Sequence, residues 1–559
     1  MTEVVAGSVG AAPAGTRPPV GPPRVVRQAR HRAPASPVPE LVRTIWVRWV
    51  PFAALLIGTV ARARQWLGGR SLWLDEVLVA DNLVHRGFVH LVSEPLAHSQ
   101  AAPVLWLWLE RLSVDLFGTG ERSLRLVPLL AGIGVMVLTL QLARLVLPRV
   151  LVPVPVLLVC LQPSLVYYSN EVKQYSTDTL VVLVLMLLAF KVPVRTDDGK
   201  PLRRFAAVAV VAVWASHAAV FVLAGISIVL VLRPLVAGDL KRTRRVALIL
   251  SPWLLSLLIA YVAVLRPVTQ NQGLAEYWQY SFPTGPLDLP AWFVRRWYDL
   301  AAAPLRMTSP LRVLGLGMLG FGFYRLCTHA GRSAALLWSA VPHAHVAAAL
   351  SAYPFAGRLA LWLVPVAAIT LAATLPHRYL RRRTGWLLAS TTALTLISAP
   401  AIAIALQQTV QVQKVEELKP LLREFAKARQ PGDLVLVEVA TREPFEYYAE
   451  QTGVSRDGVI LFTVRPPGGP CDDVPALNAG RFATDRVWVI SSHRLVDTAR
   501  LGSVDELLAR IRVVTREVQH LHTTRADAWL FDPSTGPQTP KQVGYRNPER
   551  CLTVVRSAR

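Results

Sequence analysis

Apolar runs of about 20 residues recur along this chain from Thr44 to Leu406, each long enough to cross ~30 Å of hydrocarbon as a helix, with clusters of arginine between them. Inside a bilayer such a run must satisfy its backbone polar groups within itself, which leaves the α-helix as its form. The pattern specifies a polytopic α-helical membrane protein. Composition agrees: of 559 residues 53% are hydrophobic and only 17% charged, whereas soluble domains run at about a quarter charged. A formal charge of +24 would point a soluble chain towards nucleic acid. Here the basic residues fall in short clusters between apolar runs, the distribution that the positive-inside rule produces. Nucleic acid is therefore not expected as a partner.

The clusters order the topology. Residues 1–43, rich in Pro, Arg, Ala and Val without periodicity, read as a disordered cytoplasmic arm with no cleavable signal peptide. Thr44 to Ala61 then exits, leaving residues 62–122 as a first outer loop. Within it, Ala102 to Gly118 is apolar but carries Glu110, Arg111 and Asp115. Read as a helix lying in the interface, it lets every later basic cluster fall on the cytoplasmic side; read as a span, it puts most of them outside. The interfacial reading gives about eleven spans between residues 44 and 406, with a second outer loop over 266–310, judged against the ~20-residue requirement. Cys160 and Cys327 fall inside spans and read as core residues.

From Gln407 the composition changes. Strand-like runs (LVLVEVA, GVILF, RVWVISS, DAWLF) alternate with helical patterns (VEELKPLLREFAKAR, EPFEYYAEQ, VDELLARIR). Residues 407–559 are thus expected to form a small extracytoplasmic α/β domain. A disulfide is permitted there, and Cys471 with Cys551 is the expected pair.

The same topology gathers polar groups at the outer face. Asp75 and Glu76 stand in SLWLDEVLVADNL just after the first span. A carboxylate within hydrocarbon costs roughly 2.5–3.5 kcal/mol on the gentlest scale, so the pair belongs at the water boundary. Glu171, Lys173 and Tyr175 stand in QPSLVYYSNEVKQYSTD, and Tyr353 and Arg358 in AYPFAGRLALWL, at the same level as His98. An adjacent acid pair can bind Mg²⁺ or Mn²⁺, but Asp75 and Glu76 alone are too few ligands to define a metal site. Metal need is left open.

SLWLDE, FGTGERSLRLVPLL, QPSLVYYSNEVKQYSTD and YPFAGRLALWLVP, in that order over roughly residues 44–375, resemble the C-type glycosyltransferase superfamily. These are integral membrane enzymes using lipid-linked sugars, including protein O-mannosyltransferases and aminoarabinose transferases acting on lipid A. The resemblance implies a polyprenyl-phosphate sugar donor, Asp75 as catalytic carboxylate with Glu76 beside it, and Lys173 and Arg358 as phosphate-binding cations. Glu171, Tyr175, His98 and Tyr353 would line the site. Many relatives carry His-Pro-Pro before the interfacial helix; here the stretch reads HSQAAP from His98, a departure at that residue.

The chemistry suits these residue types. A departing phosphate needs cations rather than an acid, and guanidinium holds it with two parallel bonds. The acceptor hydroxyl needs a base, which a carboxylate supplies. Direct displacement would invert the anomeric carbon. The expectation is a multi-pass plasma-membrane enzyme, N-terminus cytoplasmic, acting on a glycan, protein or lipid acceptor outside. The competing classes are a lipid or glycan transporter or flippase, which would place ionisable groups near midmembrane in paired halves, and an envelope-binding scaffold, which would need none of these charges.

Overall fold

The computed structural model describes residues 44–193, 199–375, 384–464, 484–492, 502–535 and 552–555. The arm 1–43 and the expected disulfide partners Cys471 and Cys551 lie outside these residues. The N-terminal part is helical throughout. It begins with α1 (Ile45–Leu67), α2 (Leu74–His85), α3 (Val104–Phe117), α4 (Ser123–Val146), α5 (Arg149–Cys160) and α6 (Pro163–Tyr168). Then follow α7 (Tyr175–Lys191), α8 (Lys200–Ala215), α9 (Ala219–Val236) and α10 (Leu240–Thr269). The remaining helices of this part are α11 (Gln272–Trp278), α12 (Leu289–Ala302), α13 (Leu311–Trp338), α14 (Ala340–Ala349), α15 (Leu363–Ala372) and α16 (Thr384–Val410).

Among the described residues, five helical segments are long and apolar enough to cross a membrane: α1, α4, α9, α10 and Thr392–Val410 of α16. The chain is a multi-pass membrane protein; α5 and α15 are apolar but shorter. Several of the expected single spans are interrupted. Leu151–Tyr168 breaks at Gln162-Pro163, where the proline restarts the chain as α6. The expected boundary between Leu311–Cys327 and Ser333–Leu350 is a bend inside α13, at Ala330 (φ −149°, ψ 53°). Helix α1 runs past Ala61 to Leu67 because its polar side chains find partners. Arg62 donates to Ser169 Oγ (3.1 Å) and to the carbonyls of Gly58 and Cys160 (3.0 and 3.1 Å). Gln65 donates to the carbonyls of Gln408 (2.5 Å) and Gln411 (2.7 Å), tying the first membrane helix to the last. Cys160 is buried as expected, whereas Cys327 is exposed on the outside of α13. The expected loop 266–310 is largely helical, carrying α11 and α12.

Beyond α16 come α17 (Leu418–Ala428), α18 (Arg442–Thr452) and α19 (Gly502–Val514), packed on a six-stranded sheet. Its strands are β1 (Leu434–Glu438), β2 (Val459–Val464), β3 (Val487–Ser492), β4 (Arg516–Thr523), β5 (Ala526–Asp532) and β6 (Leu552–Val555), in the order β4-β5-β3-β1-β2-β6. β1 runs parallel to β2 and β3; β5 is antiparallel to β3, β4 to β5, and β6 to β2. The central strands β1 and β3 are buried on both faces, hence their unbroken apolar runs. One face buries Val435, Val437, Trp488 and Ile490 against α17 and α18, and that apolar cluster continues into Val77, Leu83, Trp106 and Leu107 of α2 and α3. The loop over residues 62–122 and the C-terminal sheet thus share one core. The other face packs on Leu507, Leu508 and Ile511 of α19.

Candidate active site

Trp73 precedes the first turn of α2, and Glu76, three positions on, turns its carboxylate back to the Trp73 N–H (3.4 Å). Neighbouring residues on a helix diverge by about 100°. Asp75 and Glu76 therefore face different surroundings, and the apparent pair divides.

Glu76 points into the interior and is fully buried. Arg125, at the N-terminal start of α4, grips it with Nε on Oε1 (2.8 Å) and Nη2 on Oε2 (2.6 Å). The Val172 N–H adds a bond to Oε1 (2.9 Å), and Arg70 Nη1 lies 3.7 Å from Oε2. Arg125 also donates to the carbonyls of Arg70 (2.6 Å) and Ser71 (3.1 Å), fixing the strand of chain that leads into α2. Burial works to raise the Glu76 pKa, but Arg125 and Arg70 outweigh it and hold the group below its ordinary range.

Asp75 points the other way, to a cavity of about 580 Å³. Its Oδ1 accepts from Lys173 Nζ (2.9 Å) and its Oδ2 from Arg358 Nη1 (2.5 Å). Lys173 also donates to Gln100 Oε1 (2.8 Å). Desolvation raises the Asp75 pKa, and the two cations more than reverse this, leaving it low. The Lys173 ammonium is itself lowered by burial, against the pull of Asp75.

Two turns make this convergence possible. Lys173 lies between α6 and α7, where its N–H closes a tight turn on the Glu171 carbonyl (2.7 Å). Because the segment is a turn rather than a helix, Glu171 and Lys173 both reach α2: Glu171 Oε1 accepts from Trp73 Nε1 (3.0 Å). Gly357 adopts φ +47°, which a side chain would strain, and Arg358 follows it back over the rings of Tyr175 (5.6 Å) and Trp278 (5.8 Å). Such contacts hold the guanidinium plane without consuming its donors. Glu171 is fully buried, with Oε2 unpartnered. Burial and then the charge of Glu76 push it up to about 7.

Of the residues expected at the site, Asp75, Lys173, Arg358, Tyr175, His98 and Tyr353 line the cavity, and Glu76 and Glu171 stand behind its wall. His98, in left-handed backbone (φ +60°), holds Asp81 Oδ2 at 3.2 Å; that pairing raises its pKa. Tyr353 packs against Phe221. A scan against protein-family profiles matches none, and a search of curated proteins returns no relative. Solved structures do match. The chain is similar to ArnT from Cupriavidus metallidurans bound to undecaprenyl phosphate, at 15% identity and TM-score 0.48, over 89% of this chain and 100% of that one. It is also similar to the Archaeoglobus fulgidus oligosaccharyltransferase AglB with an inhibitory peptide and a dolichol-phosphate, at 12% identity and TM-score 0.45, over 86% and 74%. The apo form of that oligosaccharyltransferase aligns at 12% identity and TM-score 0.47, over 81% and 70%.

The cavity has two kinds of wall. Asp75, Gln100, Lys173 and Arg358 form a polar side, and Val213, Val220, Phe221, Leu257 and Leu265 of α8, α9 and α10 an apolar one. One carboxylate between two cations leaves an excess of positive charge on the polar side, suited to an anion. The geometry does not fit a divalent ion shared by Asp75 and Glu76: each carboxylate is already held by its own cations, and a bridging metal would have to displace Lys173 or Arg125. Sequence reasoning missed Gln100, Arg70 and Arg125. Arg125 carried a usable signal, since like Arg358 it is a basic residue at the end of an apolar helix that the topology expected from the basic clusters puts outside, against the inside bias.

Proposed function

We propose that this protein is a membrane glycosyltransferase that moves a sugar from a polyprenyl-phosphate donor to an extracytoplasmic glycan, protein or lipid. The observation that carries the reading is Asp75 clamped between Lys173 and Arg358 on a cavity whose opposite wall is apolar. The apolar wall of α8, α9 and α10 takes the prenyl tail, and the cations take the phosphate. The family motifs of the sequence support the same assignment, and the basic clusters support about eleven spans with the N-terminus cytoplasmic and this face outside.

The donor anion also sets the timing. While empty, the site keeps Asp75 a weak base, because both its oxygens are engaged by cations. A phosphate competes for Lys173 and Arg358, and Asp75 gains basicity as its partners turn to the newcomer. The acceptor hydroxyl then gives its proton to Asp75 as its oxygen bonds to the anomeric carbon. The bond from that carbon to the phosphate oxygen breaks, and polyprenyl phosphate leaves on the cations. One displacement inverts the anomeric centre.

Purified protein incubated with a panel of polyprenyl-phosphate sugars is expected to release polyprenyl phosphate with one of them. Asp75→Asn is expected to slow release by about 10²–10⁴-fold, the usual worth of a general base, while still binding donor. Absence of release across the panel, or near-normal turnover by Asp75→Asn, refutes the reading; a product with retained configuration refutes the single displacement.

A further inference from the structure

A second cluster of ligand-type side chains stands far along the chain from Asp75, on the C-terminal sheet. His520 and His522 are two apart on β4, so both rings project from the same face. Asp527 on β5 sits directly across from His522 in the ladder, and His520 is opposite Trp529. The three side chains converge on one atom: His520 Nε2 lies 2.8 Å and His522 Nδ1 2.6 Å from Asp527 Oδ1. All three donors fall within 4.8 Å of one another, the only such His/Cys/Asp/Glu set among the described residues. The His520 ring is held by stacking on Trp529, with centroids 5.1 Å apart and planes inclined by 15°. Asp527 is buried, whereas His520 and His522 are open to solvent.

We propose that His520, His522 and Asp527 bind a divalent transition-metal ion of the zinc type. Two imidazoles and one carboxylate are a donor set that zinc accepts, with water completing the tetrahedron. Ligands at 2.0–2.1 Å around a tetrahedral ion stand about 3.3 Å apart, so the two present contacts to Asp527 Oδ1, at 2.8 and 2.6 Å, need lengthen by well under 1 Å each to admit the ion. The exposed rings leave an entry path and the buried carboxylate an anchor. The ion would staple the outermost strand, β4, to β5 beside their hairpin turn. That turn is the one docked on the start of α17: the Thr524 carbonyl accepts the Glu417 N–H (2.9 Å), and Thr523 Oγ1 donates to the Glu417 carbonyl (2.8 Å). Glu417 Oε1 in turn accepts the Ser71 N–H (3.2 Å), at the entry to α2. The site thus reinforces an edge strand at the point where the sheet meets the catalytic loop.

Full-length protein in detergent, its purification tag removed, is titrated with Zn²⁺ in a calorimeter and with Co²⁺ in the visible spectrophotometer. Wild type is expected to bind one equivalent that His522→Gln and His520→Phe lack or bind at least 10–100-fold more weakly, the cost that even outer partners of a metal carry. His520→Phe keeps a ring on Trp529, and both variants are required to melt like wild type without metal, so that a lost fold is not mistaken for a lost site. Zn²⁺ is expected to raise the melting temperature of wild type alone. No binding by wild type, or equal binding by wild type and both variants (an ion held by other histidines or by cysteines), overturns the proposal and leaves two imidazoles hydrogen-bonded to a carboxylate.

Discussion

Adjacent residues with the same charge acquired opposite tasks. Asp75 faces the cavity between Lys173 and Arg358, whereas Glu76 is sealed against Arg125 and Arg70. Their arginines are therefore expected to fail differently. Arg125→Ala leaves the buried Glu76 carboxylate short of its main partner, and breaking such a pair costs about 3–5 kcal/mol. A fall in melting temperature and poor recovery of folded protein would show this, and a normally stable variant would contradict it. Arg358→Ala empties a position at the cavity wall; the fold is expected to survive, with donor engagement weakened by about 2–5 kcal/mol, as for truncating a desolvated charge contact. Titrating donor against the variant distinguishes this from an arginine that merely reaches for lipid headgroups, which would leave donor binding unchanged. Glu171 provides a pH signature. Its carboxyl is held up at about 7, above the ordinary 4.5, so the stability it contributes is complete below the unfolded value and is lost as pH rises through the folded one. Glu171→Gln keeps an acceptor for Trp73 and does not titrate. Its melting temperature is expected to gain on wild type as pH is raised from about 5 to about 8; parallel melting curves across that window would place the Glu171 proton elsewhere.

At the scale of elements, the bundle closes through small residues, as membrane helices do when lipid supplies no hydrophobic drive. A Cβ on Gly225 of α9 would collide with the carbonyl group of Ser339, backbone that no rotamer change relieves. Gly317 of α13 has nothing within 4 Å. Gly225→Ala is expected to destabilise by about 1–3 kcal/mol, and Gly317→Ala to be neutral or stabilising by up to ~1 kcal/mol. Thermal melting of the two variants side by side tests the packing, and equal effects would refute it. The same scale shows what could be read from sequence alone. The apolar runs located the helices because hydrocarbon imposes their length and composition. The central strands β1 and β3 announced themselves because both faces are buried. Strand β4 was missed: as an outermost strand it buries little, and REVQHLHT alternates too weakly to declare a period. Asp75, Lys173 and Arg358 were legible as charges at one membrane level, but their union rests on a turn at Glu171–Lys173 and a left-handed Gly357, and hydrophobic periodicity encodes neither.

At the scale of the whole molecule, the C-terminal sheet is joined to the loop that carries Asp75 through shared polar contacts as well as a shared core. The Leu72 N–H donates to Tyr448 Oη (2.6 Å), and Lys419 pairs with Glu121 at 2.7 Å. Tyr448→Phe removes the acceptor from a buried N–H, at a cost of about 1–3 kcal/mol. Faster proteolytic release of the C-terminal region, with slower sugar transfer, is the expected outcome. Unaltered proteolysis and transfer would mean that the sheet does not brace the loop.

These contacts also bear on when the protein becomes active. The backbone N–H groups of Ser71 and Leu72 find their side-chain acceptors, Glu417 and Tyr448, 346 and 376 residues further on. At a synthesis rate of about 5–20 residues per second, that separation amounts to roughly 20–70 s. Over this interval the loop that carries Asp75 has been made and its braces have yet to be. A nascent chain thus holds Asp75 long before the segment behind it is fastened, and under the proposed function transfer is expected to begin only after residues 417–448 have been made and folded.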